Sequence, residues 1–249
     1  MLIASIILWV YSLITETAPL TNKANKATIL AGVFLGLHFT CFFWGVRNTS
    51  IANATLLANT GPLFTLGLTY LKGENISKNL IFPLLITIFG VLIVQWTDLN
   101  IFEDNPMGNT VSLFSGFCIA NTYLLAKEIR KKSSTLAYSR SLFFYAAITI
   151  GFVCLIGRVS LFDFNINHIL WFLFLGVVPS ILGHNSLNYT LKFLSPTTVA
   201  TIPLGEPIIA TALALIIFSE RIPLGSLVGA PFIFTGIYLI IKKSINETY

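Results

Sequence analysis

The chain has 249 residues, of which 55% are hydrophobic and 10% charged, with a mean hydropathy of +0.82. That leaves too little polar surface to coat a water-soluble globule, so the composition predicts a multi-span membrane protein. The formal net charge of +5 does not point to nucleic acid, because the basic residues sit in short links between apolar runs and not on one face of a soluble domain.

In chain order, apolar runs read as membrane helices fall at about residues 1–15, 27–47, 51–71, 79–96, 109–127, 138–158, 167–190, 197–218 and 223–241. Their continuous apolarity excludes an outer-membrane barrel, whose strands would alternate. The first run has no basic residue before it and no small-residue cleavage site after it, so it reads as a span and not as a signal peptide. Cys41, Cys118 and Cys154 lie inside apolar runs without metal-ligand spacing and read as small buried hydrophobes.

The links set the orientation. Lys127, Arg130, Lys131, Lys132 and Arg140 follow the run at 109–127, whereas the link that begins with Thr97 and Asp98 has no Lys or Arg; the first is predicted cytoplasmic and the second external. Alternation adds Lys23, Lys26, Lys72, Lys78, Lys192, Lys242 and Lys243 to the cytoplasmic side and leaves Arg47, Arg158 and Arg221 outside, a division of twelve to three with the C-terminus cytoplasmic. In this register the first run starts outside with almost nothing before it. A preceding outward helix is therefore expected to be missing.

An internal repeat gives the same expectation. Ser50 pairs with Ser195 and Pro62 with Pro207 at an offset of 145, and Glu74 pairs with Glu220 and Gly90 with Gly236 at 146. The two copies run in opposite directions, which requires an odd number of helices per unit. The expected fold is all-α and polytopic: nine transmembrane helices in two inverted repeats, residues 1–104 with four helices and residues 105–249 with five. Inverted repeats with Pro-interrupted helices at matching positions, here Pro62 and Pro207, point to a secondary transporter with its site at midplane.

Glu206 stands near the middle of the run at 197–218, where a carboxyl costs about 2.5–3.5 kcal/mol on insertion scales and needs a partner or an aqueous cavity. Pro203, Gly205 and Pro207 surround it, and Pro207 lacks the N–H that would reach the Pro203 carbonyl. Two readings follow. Glu206 is a transport site at a helix break lining a cavity, or it is a protonated cap on the orphaned carbonyl. In the first copy Gly61 stands in its place.

At these residues the sequence closely resembles the EamA family of the drug/metabolite transporter superfamily. The resemblance rests on Thr49, Ser50, Ile51 and Ala52 before the central helix, on Glu206-Pro207-Ile208, on Ser219-Glu220-Arg221-Ile222, and on Gly-x-x-Leu-Ile-like closings from Gly90 and Gly236. It implies ten helices in two inverted five-helix repeats, cytoplasmic termini, and movement of small metabolites, often amino acids or related compounds, commonly outward. The chain departs from that pattern by lacking the first helix.

Other ionisable groups deep in the spans are His38 and His184; Asp98, Asp163 and Glu220 lie at or beyond span ends. Glu206 is thus the candidate for exchanging a proton for substrate as it moves between burial and hydration. His184 and Asn188 share one helical face, with Asn185 and Tyr189 beside it; these residues either hydrogen-bond a polar substrate or act as interhelical glue. Asn53, Asn59, Thr60, Asn121 and Tyr123 are weighed the same way, with Asn59 and Asn121 preferred. Trp44 and Trp171 are candidate cavity walls. Glu74 and Glu220 are expected to pair with Lys72 and Arg221 at the interface, and Gly32 with Gly36 and Gly225 with Gly229 to let helices approach closely.

The function expected is a secondary transporter of the bacterial inner membrane that exports a small metabolite by alternating access, with proton coupling. The alternative is a membrane scaffold or assembly subunit. No phosphate-binding Gly-rich loop is present, and one carboxylate with two separated histidines does not make an enzyme site. No cofactor or metal is expected. The partners are a small-molecule substrate, the lipid bilayer and a second copy of the chain, with no nucleic acid.

Overall fold

The computed structural model describes residues 1–74, 77–96, 105–160 and 164–246, and among these every regular element is helical. Asp98 and Asp163, and the end of the expected first repeat at 104, lie outside the described residues. Among the described residues six stretches are long and apolar enough to cross a membrane: Asn22–Asn48, Lys78–Gln95, Thr135–Ile156, Ile166–Thr190, Pro196–Phe218 and Leu224–Asn246. Large side chains such as Phe82, Phe152, Leu170 and Phe218 are well exposed along them. Apolar surface of that extent needs lipid as its solvent.

The chain divides into two compact units, residues 1–40 with 121–193 and residues 41–120 with 194–249. Two of the three boundaries fall inside long helices, α2 (Asn22–Asn48) and α6 (Pro106–Arg130), and the third in a short link at 193–194.

The first unit holds α1 (Leu2–Ile14), most of α2, the end of α6, α7 (Thr135–Ile156), α8 (Ile169–Leu175) and α9 (Asn185–Thr190), with a π-helical stretch at Gly176–His184 between the last two. α1 packs along α7. There Ser5 Oγ donates to the Arg140 carbonyl at 2.9 Å, the Arg140 guanidinium lies 4.1 Å over the Trp9 ring, and it also donates to the Ser12 hydroxyl. α2 meets α7 through Gly32 and Gly36, where a Cβ on Gly36 would come within 2.9 Å of the Ala146 carbonyl. That is the close approach the glycine spacing predicts.

The second unit holds the end of α2, α3 (Ile51–Ala58), α4 (Gly61–Leu71), α5 (Ile81–Gln95), the start of α6, α10 (Pro196–Thr201), α11 (Glu206–Phe218) and α12 (Leu224–Asn246). Its most extensive helix pair is α5 with α12. A Cβ on Gly90 would meet the Gly229 carbonyl and the Ile233 nitrogen, each at 2.9 Å, and a Cβ on Gly236 would meet the Pro83 carbonyl and the Thr87 nitrogen, each at 2.8 Å. These contacts are reciprocal, since adding 146 to 83, 87 and 90 gives 229, 233 and 236. Val91, Ile233 and Leu204 form a buried apolar cluster beside this seam.

Two expected ion pairs do not form. Among the described residues neither Glu74 with Lys72 nor Glu220 with Arg221 comes within bridging distance, whereas Lys131 Nζ lies 2.6 Å from Glu128 Oε1. Exposed interfacial pairs are worth little and are easily lost to hydration.

Candidate functional site

Two short helices in the second unit start alike. The Asn53 N–H donates to Ser50 Oγ at 3.2 Å, and the Thr198 N–H donates to Ser195 Oγ at 3.1 Å. Serine at the N-cap satisfies a helix donor that would otherwise be orphaned, which fixes where each helix begins. Thr49 Oγ1 anchors the first of these starts by donating to Asn109 Oδ1 at 2.7 Å, and Asn53 Nδ2 reaches the same oxygen at 3.4 Å.

Both helices then break. α3 ends at Asn59 and Thr60, where the Thr60 N–H and hydroxyl both donate to the Leu57 carbonyl, and α4 begins with Gly61 and Pro62. α10 runs into a 3-10 turn, Ile202–Gly205, before α11 begins with Glu206 and Pro207. Each proline therefore sits in the first turn of a new helix, where its missing N–H costs nothing, and the interruption precedes it.

The 3-10 turn bears on the capping reading of Glu206. Its backbone N–H donates to the Pro203 carbonyl, so the acceptor that Pro207 orphans is satisfied by main chain. The carboxyl has no capping role. It is exposed and makes no hydrogen bond or ion pair among the described residues.

Beside the breaks is a cleft of about 40 Å³ lined by Asn59, Thr60 and Pro62 of the first break, Ile88 and Val91 of α5, and Leu204 of the second break. That volume accommodates about three water molecules. Asn59 is half-buried and its amide makes no hydrogen bond among the described residues. α6 closes in at Gly116, where a Cβ would come within 2.6 Å of Thr60 Oγ1 and 3.0 Å of the Ala58 carbonyl.

The remaining candidates belong to the first unit. Asn121 is half-buried and Tyr123 buried, both on α6. His184 ends the π-helical stretch with its ring edge-on to Phe39, centroids 5.2 Å apart, and His38 lies edge-on to Phe39 at 5.0 Å. The expected regular helix is interrupted here because Pro179 cannot donate to the Leu175 carbonyl; the ladder shifts by one residue to the π pattern, which brings Ser180 to that acceptor, its Oγ donating at 2.9 Å. Asn188 is buried, its side-chain Nδ2 donating to Ser139 Oγ at 3.0 Å and its main-chain carbonyl accepting from Arg130 Nε at 3.0 Å. Thus Glu206, Asn59, Pro62 and Pro207 share the second unit, and Asn121, Tyr123, His184 and Asn188 the first. Trp44 and Trp171 are exposed by 40% and 66%.

Asn109 and Arg130 were not singled out from the sequence. Asn109 stands among polar residues at the start of a predicted span with nothing to separate it from a link, and Arg130 reads there as one of a run of orientation charges. Arg130 is 2% exposed and donates to Ser133 and Thr135 as well as Asn188.

Described residues that form only helices, six of them membrane-length and apolar, define a polytopic membrane protein. The EamA-like transporter family matches residues 1–96 and 106–242, and the chain belongs to that family, as the sequence resemblance implies. An uncharacterized transporter of Archaeoglobus fulgidus is 25% identical over 219 residues, spanning 88% of this chain and 77% of its own. The pseudopaline exporter CntI of Pseudomonas aeruginosa is 24% identical over 202 residues, spanning 78% of this chain and 67% of its own. A solved crystal structure superposes with a TM-score of 0.79 at 14% identity over 96% of this chain and 85% of the other, a likeness of fold.

Proposed function

We propose that this membrane transporter is a proton-coupled secondary exporter of a small polar metabolite, an amino acid or related compound, with Glu206 as the proton site and Asn59 contributing to substrate binding. The observation that carries the reading is the unpartnered Glu206 carboxyl beside a helix break whose orphaned acceptor is already satisfied by main chain. A carboxyl with no structural duty at membrane depth persists for function. Export is favoured by the relative that is named an exporter of pseudopaline.

The architecture we infer is nine spans in two inverted repeats, 1–104 and 105–249, in the bacterial inner membrane with the C-terminus cytoplasmic. The reciprocal contacts of Gly90 and Gly236 support the repeat, because two inverted copies related by a pseudo-twofold axis contact each other through equivalent residues. Alternating access then follows from rocking one repeat against the other. Protonation at Glu206 is linked to substrate release, and Asn121, Tyr123, His184 and Asn188 are the further candidates for holding the substrate.

The test is the metabolite content of the medium around cells carrying the unaltered chain, Glu206→Gln or an empty vector, with membrane insertion checked in each. Release of a compound by the unaltered chain alone is expected. Equal release by the Gln variant would remove Glu206 from the mechanism, and no difference among three well-inserted samples would overturn export.

A further inference from the structure

The end of the first unit at which α6 and α9 stop is strongly cationic. Lys127, Arg130, Lys131, Lys132 and Lys192 gather there with, among the described residues, one carboxylate, Glu128, which is held by Lys131 at 2.6 Å. Their proximity is built in. Lys127 Nζ donates to the Lys192 carbonyl at 3.5 Å, and buried Arg130 ties α6 to α9 through the Asn188 carbonyl and to the start of α7 through Ser133 and Thr135. All the groups that Arg130 contacts are neutral, so its charge remains.

Beside these cations the surface turns aromatic. Tyr189 and Phe193 are 55% and 45% exposed with ring centroids 5.3 Å apart, and Lys192 Nζ lies 5.8 Å from the Phe193 ring. Exposed aromatic rings at the end of an apolar run mark the headgroup level of a bilayer. Cations beside exposed rings match a molecule that has an anionic head and apolar tails.

We propose that Lys127 and Lys192, on the platform set by Arg130, form a binding site for the phosphate headgroup of an anionic phospholipid. The lipid bridges the ends of α6 and α9. The inference is independent of the transport reading.

The experiment places the full chain in bilayers of phosphatidylcholine containing spin-labelled phosphatidylglycerol or spin-labelled phosphatidylcholine, and reads the immobilised fraction of each. The unaltered chain is expected to prefer the glycerol lipid. Lys127→Gln with Lys192→Gln is expected to lower that preference by about fivefold per lysine, Lys127→Arg with Lys192→Arg to keep it, and Lys72→Gln with Lys78→Gln to leave it unchanged. Absence of any preference in the unaltered chain would overturn the site. An equal loss in the Lys72 and Lys78 variant would reduce it to diffuse charge, and an equal loss in the arginine variant would assign the effect to packing.

Discussion

Gly90 and Gly236 make the same contact from opposite sides of one helix pair, each facing the backbone nitrogen three residues before its counterpart and the carbonyl seven before it. Neither position has room for a Cβ. Gly90→Ala and Gly236→Ala are each expected to destabilise the protein by about 1–3 kcal/mol, by similar amounts, in thermal unfolding. Gly67→Ala, within α4 and facing open space, is expected to be neutral or slightly stabilising.

Asn59 offers an amide to the cleft and spends no hydrogen bond on the fold among the described residues. Asn59→Leu should therefore leave thermal stability unchanged or raised, while KM for the exported compound rises about fivefold, the equivalent of one lost hydrogen bond of about 1 kcal/mol. Transport assays on reconstituted protein separate the two effects.

Pro179 and Ser180 form a testable pair. Ser180→Ala removes the second of two donors to the Leu175 carbonyl, the other being the π-helical N–H of the same residue, and is expected to cost about 0.5–1 kcal/mol. In a Pro179→Ala background the new N–H can serve that carbonyl, so the same substitution should cost nearly nothing. A double-mutant cycle by thermal unfolding checks the non-additivity.

Arg130 joins three segments through the planar fork of its guanidinium, a geometry that an ammonium cannot reproduce. Arg130→Lys is expected to destabilise by about 2–3 kcal/mol, because buried acceptors lose their donors. Asn188→Ala removes the bond to Ser139 and should cost about 1 kcal/mol. If Asn188 serves packing alone, KM for the exported compound stays unchanged; a rise in KM would return it to the binding site.

Some of this was legible in the sequence because the signals are local. Ser50 and Ser195 stand out as a repeat pair, Pro62 and Pro207 as interruptions, and Gly32, Gly36, Gly225 and Gly229 as points of close approach. Glu206 stood out because a carboxyl is so costly at that depth. What escaped depends on where the chain returns in space. Arg130 and Arg140 look like orientation charges in a link, yet both are buried, one among carbonyls and a hydroxyl and the other against Trp9. The π-helical stretch follows from which group takes the Leu175 carbonyl, a choice that the spacing of His184 and Asn188 does not disclose. The donor to the Pro203 carbonyl escapes the sequence for a related reason: a 3-10 turn lets the Glu206 main-chain N–H reach an acceptor that Pro207 would otherwise orphan.

Synthesis order gives the α5–α12 seam a further meaning. α5 leaves the ribosome long before α12, and until then its notch at Gly90 and Thr87 faces lipid with no helix to fill it. Three further membrane-length stretches, Thr135–Ile156, Ile166–Thr190 and Pro196–Phe218, must enter the membrane while that half-interface waits. A ribosome that stalls before Leu224 therefore releases a chain with an open, small-residue groove, the kind of surface by which membrane quality control tells an unfinished protein from a finished one.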